Sequence, residues 1–246
     1  TTMSQTALII GATGQTGRHL LKQLLTSPHY SQVSEYGRRV TDLSSIGLPT
    51  GEKLEQKVID FEKLNESGLG EGKWDVVFIT LGTSRKNAGS AEAFEKIDRE
   101  YVVNAARAAK ANDKDQRLVY LSSTGANPDS SFLYPRSKGI TELELASLGY
   151  KDTIIFRPGM LAGVDRSESR PLETGARFVT GLMAKFTDRI EIKVETLAKA
   201  IAKAGALGSA ALPSVAAATK EGKKGSEFTV VGNTGAHALA KYEFES

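Results

Sequence analysis

The chain of 246 residues contains no cysteine. That excludes disulfides, thiolate metal sites and a cysteine nucleophile. Histidine is nearly as scarce: His19, His29 and His237 stand singly, so no metal site is expected. A dominant charge of one sign is lacking too. The 32 basic residues exceed the 29 acidic ones by only +3, too little to make nucleic acid the main partner. Long apolar runs are absent. The least charged stretch near the C-terminus, Gly205 to Thr219, is mostly Ala, Gly and Ser and is interrupted by Pro213; a membrane span needs about 20 strongly apolar residues. Ala7 to Ile10 is apolar but is followed at once by Gly11, so it reads as a strand rather than as the centre of a secretion signal. What is plentiful is ordinary core material. Apolar residues make up 40% of the chain, which with the low net charge argues against disorder.

The order of apolar segments predicts an α/β fold. Ala7–Ile10 reads as a strand buried on both faces. Leu20, Leu21, Leu24 and Leu25 mark one face of a helix that stops near Ser27-Pro28. Further strands are expected at Gln32–Gly37, Lys57–Asp60, Asp75–Thr80, Arg117–Ser122 and Thr153–Arg157. Helices are expected at Ala91–Ala111 and Ser137–Leu148. Alternating strands and helices with short connections mean βαβ units in a doubly wound parallel sheet of the Rossmann type. The alternation holds over residues 3–157 and loosens over 158–246, where Val194–Ala206 reads as a helix, Lys220–Gly225 as a charged loop and Phe228–Val231 as a late strand. No linker separates two autonomous domains. Residues 158–246 are therefore expected to form a small substrate lobe and C-terminal elements integrated with the sheet domain.

Gly11-Ala12-Thr13-Gly14-Gln15-Thr16-Gly17 lies between the first strand and the first helix. Glycine there allows a tight turn, close approach of backbone to a pyrophosphate, and close helix–strand packing. The helix N-terminus adds free N–H groups and a positive dipole end. An NAD-preferring site places an acid about 20 residues past these glycines, on the ribose 2′-hydroxyl. This chain has Gly37-Arg38-Arg39 instead. A guanidinium suits a 2′-phosphate, so NADPH/NADP+ is the expected cofactor. Asp60, after the third strand, could edge the adenine.

A second group of residues carries proton chemistry. Leu121-Ser122-Ser123-Thr124 ends a buried strand, and Tyr134-Pro135-Arg136-Ser137-Lys138 follows. Tyr and Lys four apart lie on one helical face. An ammonium beside a phenol lowers its pKa, and the phenol can then exchange a proton with a carbonyl or alcohol oxygen. A hydroxyl from Ser123 or Thr124, both of which fit, can hold that oxygen. Pro135 disfavours helical geometry at Tyr134, which places Tyr134 at the helix start.

The glycine turn, the strand ending in Ser-Ser and the Y-x-x-x-K, in that order, resemble the short-chain dehydrogenase/reductases of the extended and atypical kinds. Within them the resemblance is to the branch of the Tat-interactive protein and its fungal mitochondrial relatives. It is carried also by Tyr36-Gly37-Arg38-Arg39, Asp60-Phe61-Glu62-Lys63-Leu64, Leu81-Gly82-Thr83, Phe132-Leu133-Tyr134, Lys138-Gly139, Phe156-Arg157-Pro158-Gly159 and the block Asp165 to Pro171. It runs from about Ala7 to Pro171. The resemblance implies nucleotide contacts at Thr13, Gly14, Gln15, Thr16, Arg38, Arg39, Leu81 and Gly82, with Tyr134 as proton donor and Lys138 as its partner and ribose contact. Leu161 and Arg170 match positions near the nicotinamide and the cofactor phosphates.

Two functions from different classes are therefore expected in competition. The first is an NADPH-dependent oxidoreductase acting on an unidentified small carbonyl-type substrate. The second is an NADPH-binding sensor or regulatory protein with little turnover, whose partner is a protein or a membrane surface. The fungal relatives imply residence at mitochondria, peripherally on the outer membrane; otherwise the expectation is cytoplasmic.

Overall fold

In the computed structural model, which describes residues 4–48, 51–163 and 191–243, the first apolar run is strand β1 (Gln5–Ile10). It is followed by α1 (Gln15–Thr26), β2 (Tyr30–Gly37), β3 (Leu54–Val58), β4 (Val76–Ile79), the short helices α2 (Arg85–Ala88) and α3 (Ala91–Glu95), α4 (Tyr101–Ala109), β5 (Arg117–Leu121), α5 (Leu133–Ala146), β6 (Asp152–Arg157) and β7 (Met160–Ala162). The C-terminal part adds β8 (Glu191–Lys193), α6 (Val194–Leu207), β9 (Thr219–Lys223), β10 (Ser226–Gly232) and α7 (Asn233–Lys241).

One eight-stranded sheet has the order β3-β2-β1-β4-β5-β6-β10-β9. All its pairings are parallel except β10 with β9. The strands are apolar throughout because both faces are covered. Side chains alternate along β1: Ala7 and Ile9 join Leu20, Leu24, Leu197 and Leu239 on the layer of α1, α6 and α7. Leu8 and Ile10 join Val102, Ala106 and Leu145 on the layer of α4 and α5. The expected doubly wound parallel sheet is the one observed. Its strand order reverses between β1 and β4, and a crevice outside the carboxyl ends of the strands follows from that reversal.

The C-terminal elements complete this sheet. β10 pairs with β6, placing Val231 beside Phe156, while α6 packs on α1 and α7 on α6. Among the described residues, only β7 and β8 form a separate two-stranded pair. At the far end of α1, the Lys53 ammonium donates to the carbonyls of Leu24, Leu25 and Ser27 at 2.7–2.9 Å, a cation against the negative end of the helix dipole.

Four segments differ most from the sequence expectation. The helix expected over Ala91–Ala111 is interrupted by a π-helical turn, Lys96–Glu100, and ends at Ala109. The helix expected to begin at Ser137 begins at Leu133. Pro135 is tolerated there because it lies in the first turn, where its missing N–H has no intrahelical partner in any case. The third strand lies earlier than Lys57–Asp60, since its register is fixed by β2, with Val33 opposite Leu54. The charged segment expected to be a loop at Lys220–Gly225 is largely β9, turned back at Lys224-Gly225 with Gly225 at φ +86°. A glycine at positive φ suits a tight hairpin, and a lysine-rich edge strand discourages pairing with other chains.

A fragment of residues 1–155 lacks α6, β10 and α7, leaving one face of α1 and the edge of β6 bare. We expect it to show no cooperative melt by circular dichroism; a sharp transition at the full-length temperature would show that the C-terminal elements are dispensable.

Candidate functional site

The crevice at the strand ends is bounded first by the glycine turn. Gly11 has φ +94°, and a Cβ there would lie 2.5 Å from the backbone nitrogen of Leu81. The missing side chain lets the end of β1 meet the end of β4. A Cβ on Gly17 would lie 2.1 Å from the Gly11 carbonyl oxygen, so the first turn of α1 can press against the strand it leaves. Gly14 is the N-cap of α1, and no side chain caps the helix. The first N–H groups of α1 therefore face the crevice without an intrahelical acceptor. Gly14, Gln15 and Thr16 line a cleft of about 240 Å3. Thr13 is exposed and is not among the lining residues.

Across the cleft stand Leu81, Gly82, Ser123, Tyr134, Lys138 and Leu161. The structure thus gathers, at one place, residues drawn from five separate segments of the sequence. It also separates the two candidate hydroxyls. Ser123 lines the cleft, and its buried Oγ has no hydrogen-bond partner among the described residues. Thr124 is exposed and does not line the cleft; its N–H is held by the Pro158 carbonyl at 2.8 Å. The neighbouring Ser122 donates its hydroxyl to the buried Glu142, which is clamped in turn by Arg157 at 2.6 Å. Ser122 is therefore spent on holding β5, β6 and α5 together.

Tyr134 is 43% exposed, its ring 5.9 Å from that of Phe94. Lys138 is on the same face of α5 but is deeply buried, with its ammonium 6.0 Å from the centre of the Tyr134 ring. That ammonium, expected as the partner of Tyr134 and as a ribose contact, is already engaged within the protein. It donates to the Tyr120 hydroxyl at 3.0 Å and pairs with Asp98 at 3.0 Å. Burial opposes the charge, but Tyr120 and Asp98 outweigh it and hold the Lys138 pKa above the ordinary lysine value. Burial also drives the Tyr120 phenol well above its ordinary range, so Tyr120 stays neutral beneath the cleft.

Asp98 is fully buried and also lines the cleft. It sits on the π-helical turn before α4, and its other oxygen accepts from the Thr83 N–H at 3.0 Å. One carboxylate thus joins the loop after β4 to the lysine of α5. Sequence reading missed it, and missed Tyr120. A signal exists: Phe94, Asp98 and Val102 recur every four residues, and an acid between two core positions demands a buried partner.

The remaining expected residues lie toward the other end of the sheet. Arg38 and Arg39 follow β2, exposed and with no hydrogen bond or ion pair among the described residues. Asp60 is exposed after β3, where its carboxylate accepts from the Glu62 N–H at 2.9 Å. Arg170 lies outside the described residues. Pro158 and Gly159, which sequence reading left without a role, line the cleft; Gly159 N–H is held by the Asn233 side chain at 2.8 Å, so α7 helps to shape the site.

An NAD(P)H-binding family model matches residues 11–206. Protein HTATIP2 of Rattus norvegicus is 38% identical over 199 residues, covering 80% of each chain. The mitochondrial protein fmp52 of Aspergillus fumigatus is 38% identical over 180 residues, 72% of this chain and 75% of that one. Two solved structures share the fold. The UDP-Glc/GlcNAc 4-epimerase of Campylobacter jejuni superimposes with a TM-score of 0.58 at 14% identity, covering 82% of this chain and 74% of that one. The Bordetella bronchiseptica enzyme WbmH, solved with NAD+, gives 0.53 at 20% identity, covering 80% and 71%.

Removing Asp98 strands a buried ammonium. Asp98→Ala should cost about 3–5 kcal/mol, the usual penalty for breaking a buried pair from one side, and Asp98→Asn less, because an acceptor for the Thr83 N–H remains. Since the Lys138 pKa is raised by folding, the pair's contribution is fully present below the ordinary lysine pKa and fades only as pH climbs toward the folded value. Urea denaturation at neutral pH reads it, and an unchanged midpoint for Asp98→Ala would refute it.

Proposed function

The chain belongs to the NAD(P)H-binding family, and from that premise we propose that it is an NADPH-dependent oxidoreductase of the short-chain dehydrogenase/reductase type, acting on a small carbonyl-type substrate. The observation that carries this reading is the meeting of Ser123, Tyr134 and Lys138 in one cleft with the uncapped N-terminus of α1.

The residues present suit a phosphorylated dinucleotide. The uncapped helix start at Gly14, Gln15 and Thr16 offers N–H donors and a positive dipole end for a pyrophosphate. Arg38 and Arg39 offer exposed guanidinium groups for a 2′-phosphate. Leu81, Gly82 and Leu161 supply walls, and the Ser123 hydroxyl, which has no partner among the described residues, is open to a polar group of a ligand. When bound, the reduced nicotinamide would supply a hydride. The chain's own part is to hold and move a proton. Tyr134 carries it on its phenol oxygen at the open side of the cleft. Ser123 donates a hydrogen bond to the same substrate oxygen and fixes its place. Lys138, locked by Asp98 and Tyr120, stands with its ammonium 6.0 Å from the centre of the Tyr134 ring.

One observation favours a second reading, an NADPH-binding sensor with little turnover: the Lys138 ammonium is already satisfied by Asp98 and Tyr120 and does not depend on Tyr134. Residence at mitochondria belongs to the same proposal. It is supported by the names of the fungal relatives, and no helix among the described residues is long and apolar enough to cross a membrane. Peripheral association with the outer membrane, or a protein partner, would suit either reading.

Titration of the purified chain should show tighter binding of NADPH than of NADH, with the preference lost in the double variant Arg38→Ala, Arg39→Ala. Equal wild-type affinities would remove the 2′-phosphate assignment.

Tyr134→Phe keeps the ring and loses the proton donor. With NADPH and a panel of aldehydes, ketones and quinones, it should lower turnover by about 10²–10⁴ while cofactor affinity holds. Full activity in the variant would overturn the catalytic assignment; a wild type that binds NADPH and reduces nothing on the panel would favour the sensor.

A further inference from the structure

Glu35 is a charged residue the proposed chemistry does not use, yet it is almost fully buried, at 1% exposure, near the end of β2. Burying a carboxylate is costly unless donors surround it. Here they do. One oxygen accepts from the Thr41 N–H at 2.8 Å and from the Thr41 hydroxyl at 2.7 Å. The other accepts from the Gln56 side-chain amide at 2.7 Å. Gln56 stands directly opposite Glu35 on β3, and its amide nitrogen also donates to the Thr41 carbonyl at 2.8 Å. Thr41 is thereby held at its N–H, its hydroxyl and its carbonyl.

These bonds close a short loop. It leaves β2 at Gly37, whose carbonyl accepts from the Ile59 N–H at 2.9 Å. A Cβ on Gly37 would lie 2.9 Å from the Arg39 carbonyl oxygen, so the chain doubles back tightly at once. It is anchored again at Thr41. Between the anchors lie Arg38, Arg39 and Val40, and both arginine side chains project to solvent without a partner among the described residues.

We propose that Glu35 is a positioning residue for cofactor discrimination: with Thr41 and Gln56 it clasps the loop after β2 so that Arg38 and Arg39 are presented, already ordered, to a 2′-phosphate. The inference rests on the NADPH reading of the site. Its physical basis is preorganisation: a loop fixed before binding loses less freedom on binding, and the saving appears as affinity. The clasp also accounts for Glu35 itself. It is an acid close to the place where an NAD-preferring site keeps one, but its carboxylate is turned inward and fully engaged, so it neither repels a 2′-phosphate at short range nor offers itself to a ribose hydroxyl.

The test is calorimetric titration of the full chain with NADPH, NADH and 2′-AMP. Thr41→Val removes one hydroxyl and keeps the backbone bond. Thr41→Ser keeps both. Glu35→Gln removes the charge. Thr41→Val and Glu35→Gln should weaken NADPH and 2′-AMP by about tenfold, the usual size of one lost charge-assisted bond, and leave NADH within about twofold, while Thr41→Ser should bind like wild type. Should Glu35→Gln fail to fold, Thr41→Val with its Thr41→Ser control decides the matter. The clasp is overturned if Thr41→Val retains the wild-type ratio of NADPH to NADH affinity while Arg38→Ala, Arg39→Ala loses it. If the double arginine variant also keeps that ratio, it is the NADPH reading that fails.

Discussion

A buried ammonium has to be neutralised, and much of the site is arranged around that need. Lys138 is buried beneath the cleft, where an unpaired charge would be prohibitive. The carboxylate that meets it comes from a helix on the far side of the loop after β4, and the phenol that shares it comes from the middle of β5. Asp98 can reach inward because the helix carrying it widens into a π turn at that point, an irregularity that often accompanies functional sites. Its second oxygen fixes Thr83. The pair therefore sets the position of α5, of the loop after β4 and of the floor of the cleft in one stroke. Being enclosed, it is little screened by salt.

The same cleft depends on close backbone contact at the sheet's switch point. β1 and β4 stay paired to their ends while the chain leaves them for opposite faces of the sheet, and the absence of side chains at Gly11 and Gly17 lets the turn into α1 pack against both. The two constraints are complementary. The glycines bring the helix N-terminus to the edge of the crevice, and the buried pair brings Tyr134 and Ser123 to its other side. Neither would bring Tyr134 and Ser123 beside the uncapped start of α1 without the other. The C-terminal elements take part as well: Asn233 at the start of α7 holds Gly159, and the α7 residue His237 contacts the Glu191 carbonyl.

What was legible in the sequence was whatever local pattern dictates. The strand runs Val76–Ile79 and Ile154–Phe156 are apolar on both faces, which announces a covered parallel sheet. The glycine spacing and the tyrosine–lysine spacing are short-range features, and each half of the cleft followed from them. What was not legible came from distance. Lys220–Lys223 is a strand only because β10 lies alongside it, and charged residues suit that edge. Ser123 and Thr124 are adjacent hydroxyls that the sequence could not rank, and only the path of the chain toward Pro158 turns one inward and one out. Asp98 and Tyr120 looked like part of a helix and part of a strand. Their roles exist only because Lys138 arrives between them from another segment.

The buried polar groups then show a common logic. Helices and strands satisfy their own backbone groups, but the loops at the strand ends cannot. Among the described residues a buried carboxylate serves such a segment in three places. Asp98 holds Thr83 in the loop after β4. Glu35 holds Thr41 in the loop after β2. Glu142 takes the Ser122 hydroxyl where β5 ends and gives Arg157 a counter-charge where β6 ends. Each lies close to the carboxyl ends of neighbouring strands, where side chains that touch a ligand must project from irregular backbone. An apolar contact there would stabilise but would leave the loop free to slide, whereas a carboxylate accepting from specific N–H and O–H groups fixes distance and direction together. The acids of the interior are therefore placed where the fold hands over from regular structure to the cleft, and it is the precision of the loops, more than the stability of the sheet, that their burial secures.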